Sequence, residues 1–258
     1  MKIIRAAAAA LAVFATLYFP SSAIDAQTAE VKEKPPLYTY YSEWAIPRAK
    51  WADMDKARAG NGVFTHAFAS GTLVGYGDDE TVVHTAEGYT HDGWFSSMSM
   101  AGLLTTLSDL MQGGNTTTSV FASATKHEDQ IFSSRHYSWK SGSWKGAYTH
   151  TSIYKLKDSA PDNAVDTLAK SFIVPLLDKL LAEGTIVEYE LDEQAVHTDS
   201  PALFFLDYIT PTADGLDRVT KALGEAIKAE PLAGPAFGSM VDFSVHRDVL
   251  VRGDVTYK

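Results

Sequence analysis

The chain has 258 residues, 45% apolar and 21% charged, which suits one large or two small globular domains at about 100 to 200 residues each. Its 22 Lys and Arg against 32 Asp and Glu give a net charge of −10, which argues against a nucleic-acid backbone or an anionic membrane as the main partner. With no cysteine, disulfides, thiolate metal sites, cysteine nucleophiles and lipoprotein-type anchoring are excluded.

In chain order, residues 1–26 read as a cleavable signal peptide. Lys2 and Arg5 form a basic start, Ala6 to Phe19 a 14-residue apolar run, and Pro20 to Ala26 a small-residue exit. The run is shorter than the roughly 18 to 20 residues of a spanning helix. Cleavage after Ala23 or Ala26 would send the protein to the periplasm or outside the cell. Removing Lys2, Arg5 and Asp25 with the longer peptide leaves 20 positive against 31 negative side chains, a net −11. Residues 27–36, ending Lys-Pro-Pro, form a polar leader without expected structure.

The next feature is an internal repeat. The string from Gly71 to Thr85 lies over that from Gly184 to Thr198 at an offset of 113, with nine of fifteen positions identical. Tyr38, Thr39 and Ser42 match Tyr148, Thr149 and Ser152 at offset 110, and His127 and Asp129 match His246 and Asp248 at offset 119. The chain therefore divides into a first copy at 37–138, a Gly- and Ser-containing linker at 139–146, and a second copy at 147–258.

The first copy predicts a strand at 37–45, a helix at about 48–69, strands at 71–77 and 93–98, a helix at 100–112 and a strand at 120–133. In the second, Ala147 to Leu156 alternates as a strand. Val165, Leu168, Phe172, Leu176 and Leu180 form a helical stripe over Asp162 to Ala182, closed by Gly184 and interrupted by Pro175. Strands follow at 185–191 and 202–209, then a helix carrying Leu216, Val219, Leu223 and Ile227 behind a Thr212 cap, and a strand at 239–251. Each copy reads β-α-β-β-α-β, the split βαβ of ferredoxin-like modules. The expected fold class is α+β: a tandem duplication of that module, with two antiparallel sheets covering each other as an α/β barrel.

The segment His150-Thr-Ser-Ile-Tyr-Lys-Leu-Lys-Asp158 resembles the opening strand of the stress-responsive branch of the dimeric α/β-barrel superfamily, with its His, apolar stretch and Lys-x-Lys-Asp end. The resemblance in pattern covers 37–258, and that in residues about nine positions. It implies a barrel built from two sheets. The superfamily includes cofactor-free monooxygenases, polyketide cyclases, lactone isomerases and haem enzymes of the chlorite dismutase and dye-peroxidase type, so the fold alone leaves the chemistry open. In its cyclases a His on this strand serves as acid or base inside the cavity, which makes His150, with Tyr154 and the matching Tyr40, the catalytic candidates.

Tyr38, Trp44 and Tyr148 belong to an aromatic cluster around the first strands that suits either a ligand pocket or an ordinary barrel core. His127 and His246 each share a strand face with an aspartate two residues on, an arrangement that either orients an imidazole or satisfies two polar side chains. The repeated Asp-Glu-x-x-x-His string, Asp79, Glu80 and His84 or Asp192, Glu193 and His197, offers hard metal ligands; it equally suits a shared turn, and no metal is expected. Haem enzymes of the superfamily take their iron-ligating His from the helical region of the second module, and the helices predicted there contain none. His66, in the first copy, is the helical candidate. No cofactor is expected. No nucleophile elbow or phosphate loop occurs, and Asn115-Thr-Thr is a glycosylation sequon by pattern alone.

The reading that follows is an exported barrel binding a small, partly aromatic molecule, without nucleic-acid or membrane partners, as a monomer with an internal pseudo-dimer or as a homodimer. The alternatives are a cofactor-free cyclase, isomerase or monooxygenase using His150, and a structural protein without a ligand.

Overall fold

The computed structural model describes residues 34–258 except 60–61, 87, 114–117 and 197–201. The signal peptide, most of the polar leader, the sequon and His197 lie outside the described residues.

The first module runs β1 (Leu37–Ala45), α1 (Trp51–Ala59), α2 (Gly62–Ser70), β2 (Gly75–Thr81), β3 (His91–Ser97), α3 (Met100–Gln112) and β4 (Lys126–Trp139). The second runs β5 (Gly142–Leu156), α4 (Ala164–Leu168), a π-helical turn (Ala169–Ile173), α5 (Val174–Glu183), β6 (Glu188–Gln194), β7 (Leu203–Thr210), α6 (Ala213–Ala229), α7 (Ala233–Met240) and β8 (Val241–Tyr257). Both modules have the βαββαβ order, and both sheets have the same strand order, β4-β1-β3-β2 and β8-β5-β7-β6. Antiparallel pairing of β2 with β8 and of β6 with β4 joins them into one closed eight-stranded barrel. Closure leaves no open sheet edge. The two seams join equivalent strands, so a pseudo-two-fold relates the halves, which is consistent with a duplicated module.

Every strand has one face toward the barrel interior and one toward the helices. On the outer face of the second module, Leu177, Leu180 and Leu181 of α5 and Val219 of α6 pack against Tyr189, Phe204 and Tyr208. On the first, Ala67 of α2 and Leu103 of α3 pack against Tyr40 and Phe95. One end of the barrel is plugged by Trp94, Val187, Ile209, Val255 and Tyr257, with Trp139 and Trp144 against them. No helix among the described residues is long and apolar enough to cross a membrane.

Three expectations are corrected. Residues 139–146 are not a linker: they hold the end of β4, a tight turn and the start of β5. Gly146, at φ +60°, sits in a β5 irregularity between Trp144 and Ala147, so the glycines bend a continuous ribbon. The strand expected from 120 begins at Lys126, after a 3₁₀ turn at Phe121–Ser123. The last strand begins at Val241, because Ala233–Met240, despite Pro235 and two glycines, forms the extra helix α7. The long helix of the second module breaks before Pro175, which sits at the start of α5 directly after the π turn. The wider turn accommodates the donor that proline removes.

Candidate functional site

The barrel is hollow. A cavity of about 530 Å³ fills its interior, with exposed Val83 and Thr85 of the β2–β3 connection beside its mouth. Inward positions at every second residue build its wall: Thr39, Tyr41 and Glu43 of β1, Thr149, Thr151 and Ile153 of β5, and Glu188, Glu190 and Asp192 of β6. The volume suits a drug-sized ligand.

Two walls of this cavity are chemically opposite because the matching strands of the two modules carry different residues. Gly75 and Gly77 of β2 stand at the positions of Glu188 and Glu190 in β6. The glycines make room for rings: a Cβ at Gly75 would collide with the Tyr257 ring, and one at Gly77 would lie 2.7 Å from the Trp94 indole. Those rings lie 5.4 Å apart, centre to centre, and form an aromatic wall. The facing wall carries Glu188, Glu190 and Asp192, with Asp207 of β7 directly opposite Glu190 across the ladder.

Burying four carboxyl groups together is expensive when they are charged. Loss of solvation is the main cause of their raised pKa values, and repulsion from the neighbouring carboxylates adds to it at Glu188, Glu190 and Asp192. Glu190 is pushed up to about 8 and Asp207 to about 7, while Glu188 and Asp192 stand well above the carboxylate range. Glu190 is bonded by Thr39 Oγ1 at 3.1 Å and Tyr257 OH at 3.4 Å, and Asp207 by Thr151. Oε1 of Glu188 and Oδ1 of Asp192, on residues 1% and 3% exposed, have no hydrogen-bond partner. The cations on the wall, Lys126 and Arg247, act on Glu43, which burial raises to about 7.

A second pocket, of about 290 Å³, lies outside the barrel between the first module's sheet and helices. Its polar corner joins β1 and β4. Ser42 donates to Asp129, His127 Nε2 lies 3.0 Å from Ser42 Oγ and 2.9 Å from Asp129 Oδ1, and Trp44 stacks on His127 at 5.2 Å. Tyr40 borders the same pocket, its hydroxyl raised above the usual tyrosine range by burial and by Asp129. The His127 contacts with Ser42 and Asp129 converge on one ring nitrogen, so this is no hydrolytic relay, which needs the two partners on opposite nitrogens.

The same corner is duplicated in the second module. Ser152 donates to Asp248 at 2.7 Å, His246 Nε2 lies 3.6 Å from Asp248, and Tyr154 stacks on His246 at 4.4 Å. Phe204, Phe237 and Phe243 pack around Tyr154 there.

The structure thus brings Tyr40, Trp44 and His127 together in one pocket, and His150, Tyr154 and His246 into one cluster beside Asp248 on the outer face of the second module. The expectation that His150 faces the cavity is corrected. It lies on the outer face, stacked 5.0 Å from Tyr208 and 3.9 Å from Asp248, with burial holding its pKa below the usual histidine value. Tyr38 packs on the outer core of the first module, and Tyr148 lies under Arg252. Of the repeated metal-type string, Asp79 faces the cavity and accepts from Trp94 Nε1 at 3.2 Å, whereas His84 stacks on Trp51. Among the described residues no group of three or more His, Asp or Glu side chains is arranged to hold a metal ion. A haem ligated from a helix does not fit either: α4, α5 and α6 contain no histidine, and His66 of α2 is exposed.

The acidic wall was missed because the strand expected at 185–191 was given no inward face for Glu188 and Glu190, and Asp192 was placed in the repeated turn string. The available signal was the replacement of Gly75 and Gly77 by Glu188 and Glu190 within an otherwise matching repeat.

The architecture is that of the dimeric α/β-barrel fold, with both halves in one chain. No protein-family model and no curated protein matches the sequence. Among solved structures, the chain is similar to a provisionally named monooxygenase from Lactobacillus acidophilus NCFM, at 10% identity and a TM-score of 0.62, covering 87% of this chain and 97% of that one. A provisionally named monooxygenase from Fusobacterium nucleatum gives 9% identity and a TM-score of 0.63 over 86% of this chain and 94% of that one. An anthrone oxidase-like protein gives 11% and 0.54 over 86% and 92%. At these identities the likeness establishes the fold.

Proposed function

We propose that this protein binds a small molecule with an aromatic or apolar body inside the barrel, and that residues 1–26 export it to the periplasm or beyond as a single-chain member of the stress-responsive barrel type. The observation that carries the binding reading is the 530 Å³ cavity walled by Tyr41, Trp94, Phe132, Phe205 and Tyr257. A barrel built only for stability would fill that space, since protein interiors are close-packed. One chain supplies both modules, so closing the barrel needs no second copy. Titration with the neutral fluorescent probe N-phenyl-1-naphthylamine tests the site. We expect saturable one-site binding that weakens at least tenfold in Thr149→Phe, which places a ring in the cavity. Equal affinity in that variant would reject the barrel as the site.

One observation favours a second reading, cofactor-free acid–base chemistry. In the first module's outer pocket, Tyr40, Ser42, His127 and Asp129 form a polar corner against Phe64, Phe95 and Leu107. There His127 would take a proton from an enolisable or phenolic substrate. Under this reading the same titrated sample would also exchange the acidic C–H of an aromatic ketone with deuterated solvent, and His127→Gln would stop it.

A further inference from the structure

The inference rests on the barrel-binding reading and concerns the charge of the ligand. We propose that the barrel takes an organic cation, an ammonium, amidinium or guanidinium group on an aromatic body, with the charge seated among Glu188, Glu190, Asp192 and Asp207 and the ring against Trp94 and Tyr257.

Three independent features of the cavity lead to this class. The first is the pair of orphaned acceptors. Glu188 Oε1 and Asp192 Oδ1 are on buried inward side chains and find no donor. A buried acceptor without a partner costs about 1 to 3 kcal/mol, more when it is charged, and a ligand carrying several N–H donors would satisfy both. The second is the charge pattern. Glu188, Glu190 and Asp192 recur at every second residue of β6, and Glu190 faces Asp207 directly across the ladder, an arrangement that is unfavourable for like charges. Asp79 and Asp92 enter the cavity from β2 and β3. Lys126 and Arg247 act on Glu43 instead, and among the described residues no cation acts on Glu188, Glu190, Asp192 or Asp207.

The third feature is the wall opposite. Gly75 and Gly77 admit the faces of Tyr257 and Trp94 into the barrel, and an aromatic face attracts a cation within about 6 Å. Tyr257 also reaches Glu190 with its hydroxyl, so the aromatic and acidic surfaces meet. A divalent metal suits this wall poorly, because no group of three described carboxylates or histidines converges on one point.

The same groups impose a pH dependence. Raised carboxyl pKa values mean that protons must leave before a cation can be matched, so binding of a permanently charged ligand releases protons and tightens as pH rises.

The test compares three probes of one shape by isothermal titration against the full chain: 4-phenylbenzamidine, which is a cation, its neutral isostere 4-phenylbenzamide, and 4-phenylbenzoate. We expect the amidine to bind at least thirtyfold tighter than the amide at pH 8.5, to weaken about tenfold at pH 6, and to release protons in buffers of different ionisation enthalpy. The benzoate should not bind. The double variant Glu188→Gln/Asp192→Asn should lose the amidine preference while retaining the amide, which also reports that it is folded. An amide that binds as tightly as the amidine overturns the cation inference and leaves the barrel reading standing. Displacement of the amidine by Ca²⁺ or Mn²⁺ overturns it in favour of a metal. If neither amide nor amidine binds, the barrel reading falls and the inference with it.

Discussion

At the scale of single residues, this chain uses glycine to shape a cavity. Gly77 lies under the indole of Trp94, where a methyl group would sit 2.7 Å from ring carbon, and Trp94 is itself buried and held by Asp79. Gly77→Ala should therefore push the ring into the cavity and destabilise the protein by about 1 to 3 kcal/mol, the usual cost of overpacking. Gly224 provides the control. It sits inside α6, and a methyl group added there would meet nothing within 4 Å, so Gly224→Ala should stabilise by about 0.5 to 1 kcal/mol through helix propensity. Urea unfolding of both variants checks the pair, and opposite signs are the expected result. Equal signs would mean that the ring is free to move aside.

At the scale of elements, the repeat extends to its punctuation. Gly71 follows α2 and Gly184 follows α5, at φ +83° and +76°, and each turns its helix into the next strand. Gly184 closes α5 through its own N–H to the carbonyls of Leu180 and Leu181. An alanine there meets only the tip of Lys140, so Gly184→Ala should cost about 1 to 2 kcal/mol from the left-handed backbone alone, read as a lower urea midpoint at constant slope. The strand and helix order was legible in the sequence for the same reason. Glycine caps, 3.6-residue stripes and the 113-residue offset are local signals. The extra helix α7 was not legible, because Pro235, Gly234 and Gly238 read as a loop while Phe237 packing on Tyr154 and Phe204 draws the segment onto the sheet. The site was less legible than the fold. Alternation marked Ala147 to Leu156 as a strand, but a barrel strand is covered on both sides and the pattern does not say which side is hollow. The usual cue, that charge faces water, points the wrong way for Glu188, Glu190 and Asp192.

At the scale of the whole molecule, an interior lined with carboxyl groups makes stability depend on pH in an unusual direction. In the unfolded chain these groups titrate near 4; in the folded barrel Glu43 and Asp207 titrate at about 7 and Glu190 at about 8. Over the intervening range the folded state holds protons that the unfolded state has released, so stability is lost as pH rises. His150, whose pKa is lowered by burial, acts in the opposite sense only below about pH 6.5, where the unfolded histidine takes up its proton. From pH 6.5 to 8 the carboxyl groups therefore set the slope. At about 1.4 kcal/mol per proton and pH unit, each carboxyl group that keeps its proton across this range removes about 2 kcal/mol, so Tm should fall by at least about 5 °C. Thermal unfolding across that range without ligand should show the fall, and the Glu190→Gln/Asp207→Asn variant should make it shallower by removing the two groups that face each other across β6 and β7, with Glu43, Glu188 and Asp192 left to carry the remainder. A wild-type Tm that stays level or rises between pH 6.5 and 8 would mean that the acidic wall is already ionised and matched in the empty barrel, and that no energetic demand for a counter-ion is built into it.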